Sequence, residues 1–113
     1  MQWLFFLMTD LEAPLDVFAL HVKDLPADQR IAAITPWART RFHHAAEVIE
    51  KRLATAPYLG GDKLSIADIV LASMMSWASR HKLIDAYPKI RAHKDQMLAR
   101  PTARKLFAEY PPS

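Results

Sequence analysis

The sequence predicts an all-α domain: a five-helix bundle built around one buried central helix. Three observations predict it. Apolar residues recur at helical spacing in five successive segments, and no segment alternates as a strand would. Ala, Leu, Arg and Lys are frequent while β-branched residues are few, and only two glycines occur, the adjacent Gly60 and Gly61. The eight prolines act mainly as punctuation between the segments. At 113 residues, 51% hydrophobic and 24% charged, the chain suits one soluble domain that buries a core without staples. It has no cysteine, which removes disulfides, thiolate catalysis and cysteine-based zinc sites. The cytoplasm is compatible with that usage.

The first helix is expected from about Gln2 to Val22. Leu4, Met8, Leu11, Leu15, Phe18 and Val22 form its apolar face. Pro14 lies inside the pattern, lacks an N–H and crowds the carbonyl of Asp10, so a kink or break is expected there. Trp3 to Met8 is apolar all round, whereas a surface helix needs one stripe, so this start should be covered on more than one side. The opening run lacks the basic start and the cleavage site of a secretion signal, and it is too short to span a bilayer.

The second helix is expected from Thr35 as N-cap and Pro36 at the first helical position, ending at Pro57. Its inward face is Ala38, Phe42, Ala45, Ile49 and Leu53. After the Gly60-Gly61 turn, Ser65 and Asp68 form a capping box, with Leu64 and Ile69 as its hydrophobic staple. The helix that follows, to Trp77, is apolar almost all round and is therefore the central, buried one. A fourth helix starts at Tyr87-Pro88, points Ile90, Met97 and Leu98 inward and stops at Arg100-Pro101. A short fifth covers about Thr102 to Tyr110, so the helical domain is expected over residues 1–110. A disordered tail over 111–113 follows.

In this order, Tyr58-Leu59-Gly60-Gly61-Asp62-Lys63-Leu64-Ser65-Ile66-Ala67-Asp68-Ile69, then Tyr87-Pro88-Lys89-Ile90 and Arg100-Pro101-Thr102, resemble the C-terminal helical domain of the glutathione transferases. The opening Gln2-Trp3-Leu4-Phe5-Phe6 resembles the first helix of that domain in bacterial members, so the resemblance covers nearly the whole chain. It implies that Ser65 and Asp68 govern folding of the domain and are not catalytic. It also implies a thioredoxin-like N-terminal domain as partner, which this sequence lacks. In the family that domain supplies most of the glutathione site and the residue that activates the thiol. No catalytic residue carries over to this chain, which is expected to be inactive alone. No cofactor is expected in it, and glutathione is the co-substrate if the full-length protein is an enzyme.

The family's helical domain lines the pocket for the electrophile, packs on its companion domain and joins a dimer interface. Phe5, Phe6, Thr9 and Asp10 are the candidate substrate-binding residues. Pocket, domain seam and dimer seam remain open for them, with core packing and a solvated face as the plainer reading. Homodimerisation or other self-association is expected from the uncovered apolar start. The alternative function is a stand-alone protein-interaction module of the same fold.

His43, His44 and Glu47 show no third ligand at metal-site spacing, and no metal site is assigned. His21, His81 and His93 are expected at the surface, and Trp37 and Trp77 in the core. From Arg80 onward eight Lys or Arg residues face three acids. They are not interleaved with aromatics, so nucleic acid is an unlikely partner. No membrane segment is expected.

Overall fold

The computed structural model describes residues 2–101 of the chain. The expected fifth helix and the tail lie outside the described residues.

The chain opens with one continuous helical rod, residues 3–24, in which α-helical and π-helical turns alternate. It consists of α1 (Trp3–Phe6), a π-helical segment Leu7–Glu12, α2 (Ala13–Ala19) and a second π-helical segment Leu20–Asp24. The junction residues Phe6, Ala13 and Leu20 all keep right-handed helical φ and ψ. Pro14 therefore does not break the helix. Pro14 sits where the π-helical segment passes into α2, and its missing N–H withholds one main-chain donor from the turn before it.

The packing of the rod corrects the expected apolar face. Leu7, Leu11, Leu15 and Phe18 are buried, together with Ala19. Leu4, Met8 and Val22, assigned to that face from uniform α spacing, are exposed. At the end of the rod Arg30 donates from Nε to Leu25 O at 2.7 Å and from Nη2 to Lys23 O at 2.8 Å. These bonds satisfy carbonyls near a helix C-terminus.

α3 spans Ile34–Thr55 and begins earlier than expected, with Ala33 as the N-cap residue. Thr35 is inside the helix, and its hydroxyl donates to Ala32 O at 2.9 Å instead of capping a backbone N–H. Pro36 still falls in the first turn, where no N–H is needed. α3 buries Ala38, Phe42, Ala45, Ala46 and Ile49. Trp37, expected in the core, is 54% exposed, because it lies one position off that face.

The Tyr58–Gly61 turn is closed by a reciprocal pair of 3.1 Å backbone hydrogen bonds. Gly61 takes φ +126°, a conformation that L side chains rarely adopt. α4 (Ile66–Arg80) follows with Ser65 as N-cap in a capping box. It buries Ala67, Asp68, Leu71, Ala72, Met74, Met75 and Ala78. Trp77 is partly buried against the core.

α5 (Pro88–Leu98) starts with proline in its first turn and buries Ile90, His93 and Met97. Its N-terminus is capped from another helix. Glu50 of α3 accepts the Lys89 and Ile90 N–H groups, each at 2.9 Å. A carboxylate there satisfies two orphan donors and meets the positive end of the helix dipole.

The rod packs on α3 through α2 and its first π segment, α4 packs on α5, and α5 also packs on α3. The first π segment touches both α3 and α4. Its residues Leu7 and Leu11 accordingly sit at the centre of the core. Among the described residues there are four principal helical bodies and no named strand.

His93 corrects the expectation of a surface histidine. It is 4% exposed, and its Nε2 lies 3.0 Å from Asp68 Oδ1, which is itself fully buried. The carboxylate of Asp68 is a junction for three segments. Oδ1 also accepts the Leu59 N–H at 2.9 Å, and Oδ2 accepts the Ser65 N–H at 3.0 Å and the Ser65 hydroxyl at 3.2 Å. With only acceptors to offer, Asp68 pairs with the Nε2–H form of His93. Nδ1 of that ring is buried with no protein partner.

Candidate functional site

A groove of about 380 Å³ runs between the rod and α3. The rod wall carries Phe6, Thr9, Asp10, Ala13, Pro14 and Val17. The α3 wall carries Trp37, Arg41, His44, Ala45 and Val48. The lining is mostly apolar, with charged or polar side chains on both walls. Concave sites of this size, mostly apolar with a few placed polar groups, are the usual form of small-molecule pockets.

Local sequence explains each wall. Thr9 and Asp10 belong to the π segment that precedes Pro14, and the same segment places Leu7 and Leu11 on the opposite, buried side. Thr9 Oγ1 donates to Phe5 O at 2.9 Å and lies 3.3 Å from Asp10 Oδ1. Phe6 meets Trp3 edge to face at 5.8 Å. On α3, Trp37, Arg41, His44 and Val48 follow 4-3-4 spacing and form a stripe one position off the buried face. Arg41 stands over the Trp37 ring with its guanidinium carbon 5.9 Å from the centroid.

Three of the four candidate residues, Phe6, Thr9 and Asp10, thus share the groove. Phe5 does not line it and is 66% exposed on another side of the rod, near the exposed Leu4 and Met8. The α3 wall was not picked out from sequence. Its signal was present: a Trp-Arg-His-Val stripe at helical spacing beside the core stripe Ala38-Phe42-Ala45-Ile49.

Behind the groove, His43 Nδ1 lies 2.7 Å from the Tyr87 hydroxyl and joins α3 to the start of α5. Burial, then the nearby Arg39 charge, lowers the His43 pKa below its ordinary value, against a smaller opposing effect of Glu47. Burial, with Glu47 and Glu50, raises that of Tyr87. On α2, burial raises the Asp16 carboxyl. A second cavity of about 340 Å³ lies where the rod and α4 end, beside Lys23, Trp77 and His81. Among the described residues no three His, Asp or Glu side chains group so as to hold a metal ion. No helix among them is long and apolar enough to cross a membrane.

The class of protein follows from the helical bundle, its capped central helix and this groove. Residues 9–101 match the family "Glutathione S-transferase, C-terminal domain", and the chain belongs to that family. It is similar to a probable glutathione S-transferase of Oryza sativa subsp. japonica, 38% identical over 63 residues. That match covers 53% of this chain and 29% of the rice protein. It is also similar to glutathione S-transferase 1 of Zea mays, 37% identical over 70 residues, covering 59% of this chain and 33% of the maize protein. The fold is that of the solved glutathione S-transferase III in apo form, with a TM-score of 0.82 at 24% identity over 96% of this chain and 53% of the other. It is equally that of glutathione S-transferase I bound with lactoylglutathione, with a TM-score of 0.77 at 24% identity over 94% of this chain and 53% of the other. The chain thus spans about a third of the plant relatives it matches and about half of the solved chains.

Proposed function

We propose that this domain is the helical half of a glutathione-conjugating transferase. In this reading Phe6, Thr9 and Asp10 help to hold the electrophilic co-substrate in the groove. Glutathione and the thiol-activating group belong to a thioredoxin-like domain packed against the exposed Leu4, Phe5 and Met8. Phe5 then serves the seam, not the pocket. The groove carries this reading: it is a mostly apolar trough with polar side chains on both walls, on the same rod as a bare apolar strip. In this reading the chain alone binds no glutathione and has no transferase activity, because the thiol activator sits on the companion domain.

The test uses this chain by itself. Reduced glutathione is titrated in by calorimetry, and 1-chloro-2,4-dinitrobenzene is followed by quenching of tryptophan fluorescence, since Trp37 lines the groove. The expected result is no glutathione binding, with quenching by the electrophile that weakens at least fivefold in Phe6→Ser. Micromolar glutathione binding, or quenching unaffected by Phe6→Ser, would refute the division of labour or the pocket respectively.

The exposed strip also favours a second reading, a protein-interaction module of the same fold. It predicts a stable complex with a partner domain and no electrophile quenching at all.

A further inference from the structure

The two walls of the groove differ in hydrogen-bonding sense. The rod wall accepts. It carries the Asp10 carboxylate, and it contains Pro14, which has no N–H to give. In α-helical spacing that missing donor would serve Asp10 O, and in π-helical spacing it would serve Thr9 O. Both residues line the groove, and the rod passes from π to α spacing between Glu12 and Ala13. In either register the rod offers no main-chain N–H from Pro14, and the Thr9 hydroxyl is directed to Phe5 O.

The α3 wall donates. Arg41 has only N–H groups to offer, and His44 has at least one. Arg41 is already held over Trp37, which places a cation beside a flat aromatic face. The rest of the lining is apolar and includes the Phe6 and Trp37 rings.

From this arrangement we infer that the groove selects small amphoteric aromatic ligands. An ammonium or amide N–H meets Asp10, a carboxylate meets Arg41 and His44, and a flat apolar body lies between. This rests on the groove being a small-molecule site and adds the class of ligand. A neutral hydrocarbon of the same shape would cover the polar groups of both walls without pairing them, which is unfavourable.

The experiment titrates this chain with 4-(aminomethyl)benzoate, benzylamine, 4-methylbenzoate and toluene, with amide shifts followed by NMR. 4-(Aminomethyl)benzoate is expected to bind at least tenfold more tightly than each of the others and to move the amides of Thr9, Asp10 and Arg41. Asp10→Asn should bring it within threefold of 4-methylbenzoate, and Arg41→Gln within threefold of benzylamine. Both side chains are exposed, so both variants keep the wild-type melting curve. Equal affinity for all four ligands overturns the ligand class while the groove stands as a pocket. No shift of groove amides with any of them removes the pocket itself. Affinity that falls as the protein self-associates would mean that a second copy fills the groove, and it overturns the inference too.

Discussion

Removing the Asp68 carboxylate should nearly unfold this domain, which is more than a lost helix cap would do. A capping side chain replaced by alanine typically destabilises by about 1 kcal/mol. Asp68 is 0% exposed and receives four donors from three places in the chain. The two from Ser65 can turn to water, because Ser65 is exposed. The Leu59 N–H and the His93 Nε2–H cannot, since both residues are buried. A buried donor left bare costs about 1–3 kcal/mol, and more where the lost partner was charged. Two such donors plus the cap give about 4–5 kcal/mol for Asp68→Ala. A domain of this size has about 5–15 kcal/mol in all. Urea unfolding followed by circular dichroism reads the loss. Ser65→Ala is the control and should lose about 1 kcal/mol. His93→Leu on its own should lose less than Asp68→Ala. Added to Asp68→Ala it should do little further harm, because the buried ring then has no partner to lose. If Asp68→Ala loses no more than Ser65→Ala, the carboxylate is only a cap and the buried junction carries no weight.

Four further outcomes follow from other parts of the structure. Glu50→Ala removes both acceptors from the start of α5 and should destabilise by about 1–2 kcal/mol in the same urea assay, with Glu50→Gln less harmful. Gly61→Ala should be clearly destabilising, by about 1 kcal/mol or more, because of its φ of +126°. Gly60→Ala, whose Cβ would meet nothing within 4 Å, should stay within about 0.5 kcal/mol of wild type. The His43 pKa is lowered in the fold, so below the ordinary histidine value the unfolded chain binds the extra proton and stability falls with pH. The urea midpoint should therefore drop between pH 7.5 and pH 5, and less steeply in His43→Gln. The chain should self-associate in sedimentation at high concentration, and Phe5→Ser should shift it toward monomer, since Phe5 is the most exposed aromatic of the bare strip. A wild-type chain that remains monomeric would remove that expectation.

Much of the architecture was legible because it rests on local chemistry. Ser65 and Asp68 stand at the spacing of a capping box, Gly61 permits the turn before it, and Pro88 starts α5. Each of these is fixed by neighbours a few residues away. The face of α3 was legible for the same reason, since an undistorted helix keeps its 3.6-residue phase over Ala38, Phe42, Ala45 and Ile49. Phe6, Thr9 and Asp10 could be nominated together because they share one helix. What sequence could not reach were effects that depend on a second segment. The start of the rod is apolar all round, and only the elements packed on it decided that Leu7 faces inward while Leu4 and Met8 stay exposed. The groove exists only because α3 brings Trp37, Arg41 and His44 opposite the rod. His93 looked like a surface residue on a polar helix until packing set it against Asp68, 25 residues away. The sequence by itself determined where helices begin, turn and bury a stripe, because those choices are made within a few residues. Tertiary structure decided which polar groups lie inside and which walls face each other, because a buried polar group is stable only where another segment supplies its partner.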